Sequence, residues 1–485
     1  MSLHDREEWG EAEPPGDMTD KMVYPSRANV VGLMVVTDAG GSGMCLNRVG
    51  VVAASLLFSV VAGGCSAPFS SHEHVTYIGR IEQAPEVTSV SHVAWEWDAP
   101  EGRVLRDVLA GTGGAIMVLS DGVIGLDGTT GTEQWRYRSP DDSLVRAEAT
   151  PEGSTVVLTY RGKDEGELDV VVLEAATGEL RGQYPASADG GDQTTTLTEE
   201  ARLVHPDEGS FGVEATLVDT GEPLWDFVGR PPKEAGQFFA QQVSTVQDMV
   251  VVSAVFADGG GEGFEPGAEV DQVLSVVGLD AHTGELVWHQ ELPYVFGRVA
   301  EPGHTLSQGG EVLLVEVGGA SGEGQRWLLD PATGEQLSGG AFSQGQERRR
   351  VALLGDGYVE KAQGQGRVQY WVRGFDGAQR EHVEVAARSG ERYLHPGVVT
   401  DQGVLRLDYV TEPDWARGEV GAEFLSWDGG EATVVPVDLS PNESLLVDIE
   451  GSTNADVDAP RLVPVPGSFV VTEEHEASVR AVGLS

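Results

Sequence analysis

One turn recurs along this chain, and its recurrence limits the possible folds more than any other feature. In "LDGTTGTEQW" (126–135) an apolar residue leads into Asp127, Thr130-Gly131 follows, and Trp135 comes four residues after the glycine. "LEAATGELRG" repeats it with Glu174 and Thr177-Gly178. "LVDTGEPLW" has Asp219, Thr220-Gly221 and Trp225, with two residues fewer between acid and threonine. "LDAHTGELVW" has Asp280, Thr283-Gly284 and Trp288, and "LDPATGEQLS" has Asp330 and Thr333-Gly334. Two degraded copies follow, at Asp376 and Asp428. The acidic anchors are spaced 47, 45, 61, 50, 46 and 52 residues apart, a pitch near fifty. A fixed pitch of that size is the mark of a repeat architecture.

Each unit can be read physically. "VVGLD" and "VVVLE" are strands whose alternate side chains face a core. Asp and Thr side chains hydrogen-bond neighbouring backbone groups in the turn, and Gly accepts the positive φ that a tight turn requires. The chain then reverses into a second strand, "ELVWHQELP" or "TEQWRYRSP", from which the tryptophan projects. A lone small sheet cannot bury both faces, so neighbouring units must stack. A tryptophan buries about 150–250 Å², enough to wedge one unit against the next. Trp135, Trp225 and Trp288 stand at that position, and Gly182 and Ser338 replace it in two other copies.

The pattern Asp-x-x-Thr-Gly-x-x-x-Trp resembles the repeat of the pyrroloquinoline-quinone-dehydrogenase-like (PQQ-like) β-propellers, over about residues 92–485. The resemblance implies an all-β propeller of four-stranded blades. Eight blades are expected, and seven if one degraded copy is an insertion. "VRAVGLS" (479–485) aligns with "SVVGLD" and stops where the acidic residue would come, whereas "HVAWEWDAP" (92–100) looks like the missing outer strand. Pairing the two closes the ring and removes the open edge a propeller would otherwise expose.

The amino-terminal part reads differently. Arg48 is followed by an uncharged apolar run, Val49 to Ala62, and then Gly63-Gly64-Cys65. The run is shorter than the roughly 20 residues that span a bilayer. A positive residue, a short apolar region and small residues at its end make a secretory signal, and the ending resembles the bacterial lipobox. That resemblance implies diacylglyceryl transfer to the Cys65 thiol and cleavage before it. Residues 44–64 are then signal peptide and 65–91 a lipid-anchored tether. Residues 1–43 are acidic and unlike a signal's leading region; they read as disordered or as lying before the true start at Met44 or Met34. Cys45 falls in the signal, so Cys65 is the single cysteine of the mature chain and no disulfide is expected.

Charge excludes some partners. The formal net charge is −47, and a field of that sign repels nucleic-acid phosphates. Lysine is limited to Lys21, Lys163, Lys233 and Lys361. The one basic cluster, Arg348–Arg350, reads as paired with carboxylates. Acidic, glycine-rich insertions lie at 256–271, from Pro185 and from Asp448. Asp448, Glu450, Asp456 and Asp458 are the better candidates for Ca²⁺, but they lack an EF-hand layout. His72 and His74 have no third ligand nearby.

The dehydrogenases with this repeat bind quinone and calcium and use adjacent disulfide-bonded cysteines, as the resemblance implies. Here no cysteine follows Cys65, and no Gly-x-Ser-x-Gly, His-Glu-x-x-His or phosphate loop occurs. The sequence therefore predicts no cofactor, no metal and no catalysis. It predicts a monomeric propeller held to a bacterial membrane through Cys65, outside the cytoplasm, binding an envelope protein or another ligand. A quinone- or metal-dependent dehydrogenase-like enzyme is the first alternative. A cell-wall or carbohydrate binder is the second, with Trp371 and Trp415 as its candidate platform unless both belong to strand cores.

Overall fold

A computed structural model describes residues 73–79, 84–139, 143–162, 167–187, 196–206, 210–232, 237–257, 270–296, 302–307, 309–317, 325–338, 348–364, 367–386, 397–409, 420–439, 460–473 and 479–485. Among them there is no helix. The strands form eight antiparallel sheets, and the first strands of neighbouring sheets lie against one another around a common axis. The chain is an eight-bladed β-propeller.

Blade 1 is built from Leu105–Gly111, Gly114–Leu119, Gly122–Asp127 and Glu133–Arg138, in that order outward. Blades 2 to 7 repeat this plan, starting at Leu144, Thr196, Gln237, Pro302, Arg348 and Val398. The copies at Asp376 and Asp428 thus belong to complete blades, 6 and 7. Blade 8 takes Pro460–Val465, Ser468–Glu473 and Arg480–Leu484 from the end of the sequence, and its outer strand is Val93–Asp98. The eight apolar cores each lie between two adjacent blades. This is the arrangement that stacked sheets with two apolar faces require.

The two ends of the blades differ. At one end lie the turns joining first to second and third to fourth strands, none longer than six residues. At the other end lie the strand ends that lead from second to third strands and from blade to blade; the longest of these connections, 258–269 and 440–459, fall outside the described residues. We call these the short-turn and long-connection faces.

Residues 73–79 and 84–91, within the stretch read above as tether, sit on the propeller. Glu73–Val75 adds a fifth strand to blade 1, antiparallel to Glu133–Arg138. Its pattern is polar because it pairs along an edge and is tied by charge: Glu73 meets Arg136 at 3.2 Å. His74 Nε2 lies 2.8 Å from the Gly178 carbonyl. The Tyr77 amide then donates to Thr177 on the short-turn face, Gly467 donates to the Pro85 carbonyl, and Thr400 donates to Thr88. Val90 is buried between blades 7 and 8.

Candidate functional site

The repeated turn is built by its acid and its glycine. Asp127 Oδ1 accepts the amides of Thr129 (3.0 Å) and Thr130 (2.8 Å) and the Thr130 hydroxyl (2.9 Å). Asp280 repeats all three bonds with His282 and Thr283, and Asp330 accepts the two amides of Ala332 and Thr333. These bonds to Asp280, led by the Thr283 hydroxyl, hold its carboxyl below the usual range. Gly131, Gly178, Gly221, Gly284 and Gly334 all have φ between 65° and 72°.

Each of those glycines also receives an aromatic ring from the preceding blade. Trp135 lies over Gly178 and donates from Nε1 to the Ala175 carbonyl at 3.0 Å. Trp225 covers Gly284 and bonds to Ala281, and Trp288 covers Gly334 and bonds to Pro331 at 2.8 Å. A Cβ on Gly334 would stand 2.5 Å from the Trp288 ring. Trp95 makes the same contact with Gly131 and the Gly128 carbonyl, sealing blade 8 to blade 1. In blade 2 Tyr184, two residues beyond Gly182, takes the tryptophan's place over Gly221. In blades 6 and 7 the turn glycines Gly377 and Gly429 have nothing within 4 Å of a Cβ.

Asp219 does not occupy the anchor position that its sequence suggests. The residue equivalent to Asp127 is Leu217, whose carbonyl accepts the Gly221 amide at 2.8 Å. Asp219 sits at the turn's third position and accepts from Arg181 of blade 2 instead, at 2.9 Å. The glycine sets the register because it alone tolerates the positive φ. Counted from the glycine, Trp135, Trp225 and Trp288 all fall four residues on. A second glycine escaped the sequence reading: Gly125, Gly278 and Gly483 lie beneath the rings of Trp135, Trp288 and Trp95, where any Cβ would meet the indole at 2.1–2.2 Å.

The chemistry on offer is limited. Among the described residues no group of three His, Cys, Asp or Glu is placed to hold a metal ion. His304 of blade 5 resembles a catalytic base, lying 2.6 Å from Ser253 Oγ and 2.8 Å from Ser244 Oγ of blade 4. Ser253 is fully buried, so its hydroxyl cannot meet a substrate, and the trio is an interblade bridge. Trp371 is 8% exposed and stacks on His382, which makes it strand core. Cys65, Trp415, the Asp448 to Asp458 group and the side chains of Arg348–Arg350 lie outside the described residues.

Burial lowers the pKa of His304 to about 4. In the unfolded chain it protonates near its ordinary 6.5, so the folded state binds fewer protons between those values. Stability is complete above pH 6.5 and falls as pH drops toward 4. At pH 5 the loss is about 2 kcal/mol relative to pH 7. His304→Gln is expected to remove that share of the pH dependence, read from urea midpoints at both pH values; equal slopes in the two proteins would assign it elsewhere.

The short-turn face is strongly acidic. None of its fifteen connections contains Lys or Arg. Its one histidine, His282, lies 3.0 Å from Glu200 and 4.0 Å from Asp248. The hydrogen bond to Glu200, then that carboxylate's charge, raises the His282 pKa.

Residues 59–205 match the family model described as outer membrane protein assembly factor BamB, a stretch that takes in blades 1 and 2 and the first strands of blade 3. No curated protein matches. Among solved structures, BamB from Moraxella catarrhalis is 14% identical, with 81% of this chain and 100% of that chain covered and a TM-score of 0.37. The β-propeller domain of the trilobed protease from Pyrococcus furiosus is 12% identical, covering 68% and 97%, at 0.38. The Dos1 propeller is 11% identical, covering 81% and 95%, at 0.43. At these values the structures add nothing to the fold already described. The chain is therefore an eight-bladed propeller of PQQ-like repeats whose first blades match the outer membrane protein assembly factor BamB family.

Proposed function

We propose that this protein is a lipid-anchored, extracytoplasmic scaffold that docks an envelope protein on its propeller and carries out no catalysis. The observation that carries this reading is the match of residues 59–205 to an outer membrane assembly factor. That stretch contains Ala62-Gly63-Gly64 and Cys65, the acylation site of this proposal. The anchor accounts for an apolar run too short to span, and the propeller supplies two broad faces on which a protein can dock.

Cys65→Ser is expected to move the protein from the membrane to the soluble fraction. Continued attachment would remove the lipoprotein reading. Crosslinking of the wild-type protein in cells, followed by capture and mass spectrometry, is expected to return one reproducible envelope protein. Recovery of the uncrosslinked protein alone at saturating reagent would turn attention to small ligands and to chemistry.

A further inference from the structure

The first strand has a direction, and that direction places the anchor. Glu73 pairs with Arg138 and Val75 with Arg136. Arg138 ends the outer strand of blade 1 at the long-connection face, and Glu133 begins it at the short-turn face. The chain preceding Glu73 therefore leaves the propeller at the long-connection end of blade 1's outer edge. Tyr77, bonded to Thr177, lies at the opposite end.

Eight residue steps separate Cys65 from Glu73, a reach of at most about 29 Å when fully extended. Reaching the short-turn face would mean running back along a six-residue strand, about 20 Å, beside an edge that residues 73–79 already follow. Both faces are net acidic, so charge does not choose between them and the direction of the strand does.

We infer that the anchored propeller turns its long-connection face and the rim of blade 1 toward the bilayer, and presents its short-turn face outward. This rests on the lipid anchor at Cys65 proposed above. The short-turn face is then the one open to soluble or periplasm-facing partners.

The test uses the full acylated protein in liposomes containing anionic lipid. Acylation consumes the Cys65 thiol, so single introduced cysteines can be labelled. Glu101→Cys reports the long-connection face beside blade 1; Glu152→Cys and Ala332→Cys report the short-turn face. All three positions are exposed. A fluorophore at Glu101→Cys is expected to be quenched several-fold more by nitroxide-headgroup lipid than one at either other site. Inserting twenty Gly/Ser residues after Ser66 adds about 25 Å of flexible span and is expected to erase the difference while the protein stays bound. Equal quenching at all sites, or strongest quenching at Ala332→Cys, overturns the orientation. A Cys65 without acyl chains, seen by mass spectrometry, overturns the anchor itself, so the two failures are distinct.

Discussion

Trp288→Ala is expected to destabilise the folded ring by about 3–5 kcal/mol, seen as a lower urea midpoint. The indole is 7% exposed and lies between Gly278 of its own blade and Gly334 of the next. Truncation leaves a cavity in the core between blades 4 and 5 and removes the donor to the buried Pro331 carbonyl. Gly334→Ala attacks the same seam from the other side, because a Cβ there meets the ring at 2.5 Å as well as a φ of +72°. Gly429→Ala supplies the control: its φ is +73° but nothing lies near its Cβ. It is expected to cost only about 1–2 kcal/mol of backbone strain. An unchanged midpoint in Trp288→Ala would mean that the ring does not hold the blades together.

Arg406→Ala is expected to cost a similar amount by a different route. Arg406 on the second strand of blade 7 is 2% exposed and Glu423 on the third is 4% exposed, with Arg406 Nε donating to Glu423 at 2.7 Å. Removing the guanidinium strands a buried carboxylate, which costs about 3–5 kcal/mol. Replacing both residues, Arg406→Met with Glu423→Leu, is expected to recover most of that loss. The comparison is made by chemical denaturation at pH 7; a single variant as stable as the wild type would show that water reaches the carboxylate. Glu316 with Arg326 and Glu360 with Arg373 form similar pairs in blades 5 and 6. Cross-strand charge pairs thus occur in all three blades whose outer strands place no ring over the next blade's turn, and in blade 8 as well, between Arg480 and Glu96.

The repeat, the blade count and the closure of the ring were legible because a glycine at positive φ and a buried tryptophan leave few substitutes. Where a substitute existed the sequence misled. Leu217 replaces the acid because its carbonyl suffices to accept the Gly221 amide, and Tyr184 replaces tryptophan by arriving two residues late. The strand Glu73–Val75 was unreadable, since "EHV" has no alternating pattern and is held by Arg136, Arg138 and an edge of backbone. The faces of the propeller were readable only as charge: composition shows acidity, but the blade topology was needed to gather the turns without Lys or Arg onto one side.

Closure of blade 8 has a kinetic cost. Ser91 donates to the carbonyl of Ser485, 394 residues away, and Val93–Asp98 has no sheet to join until Arg480–Leu484 exists. At ~5–20 residues per second, synthesis separates those strands by about 20–80 s. For that time the growing arc exposes an apolar blade face at each end, Trp95 among the exposed groups, and closure then requires a very long loop to find itself. Aggregation during biogenesis is thus governed by the lifetime of the open arc, and variants that slow closure are expected to lower yield without lowering the stability of the finished ring.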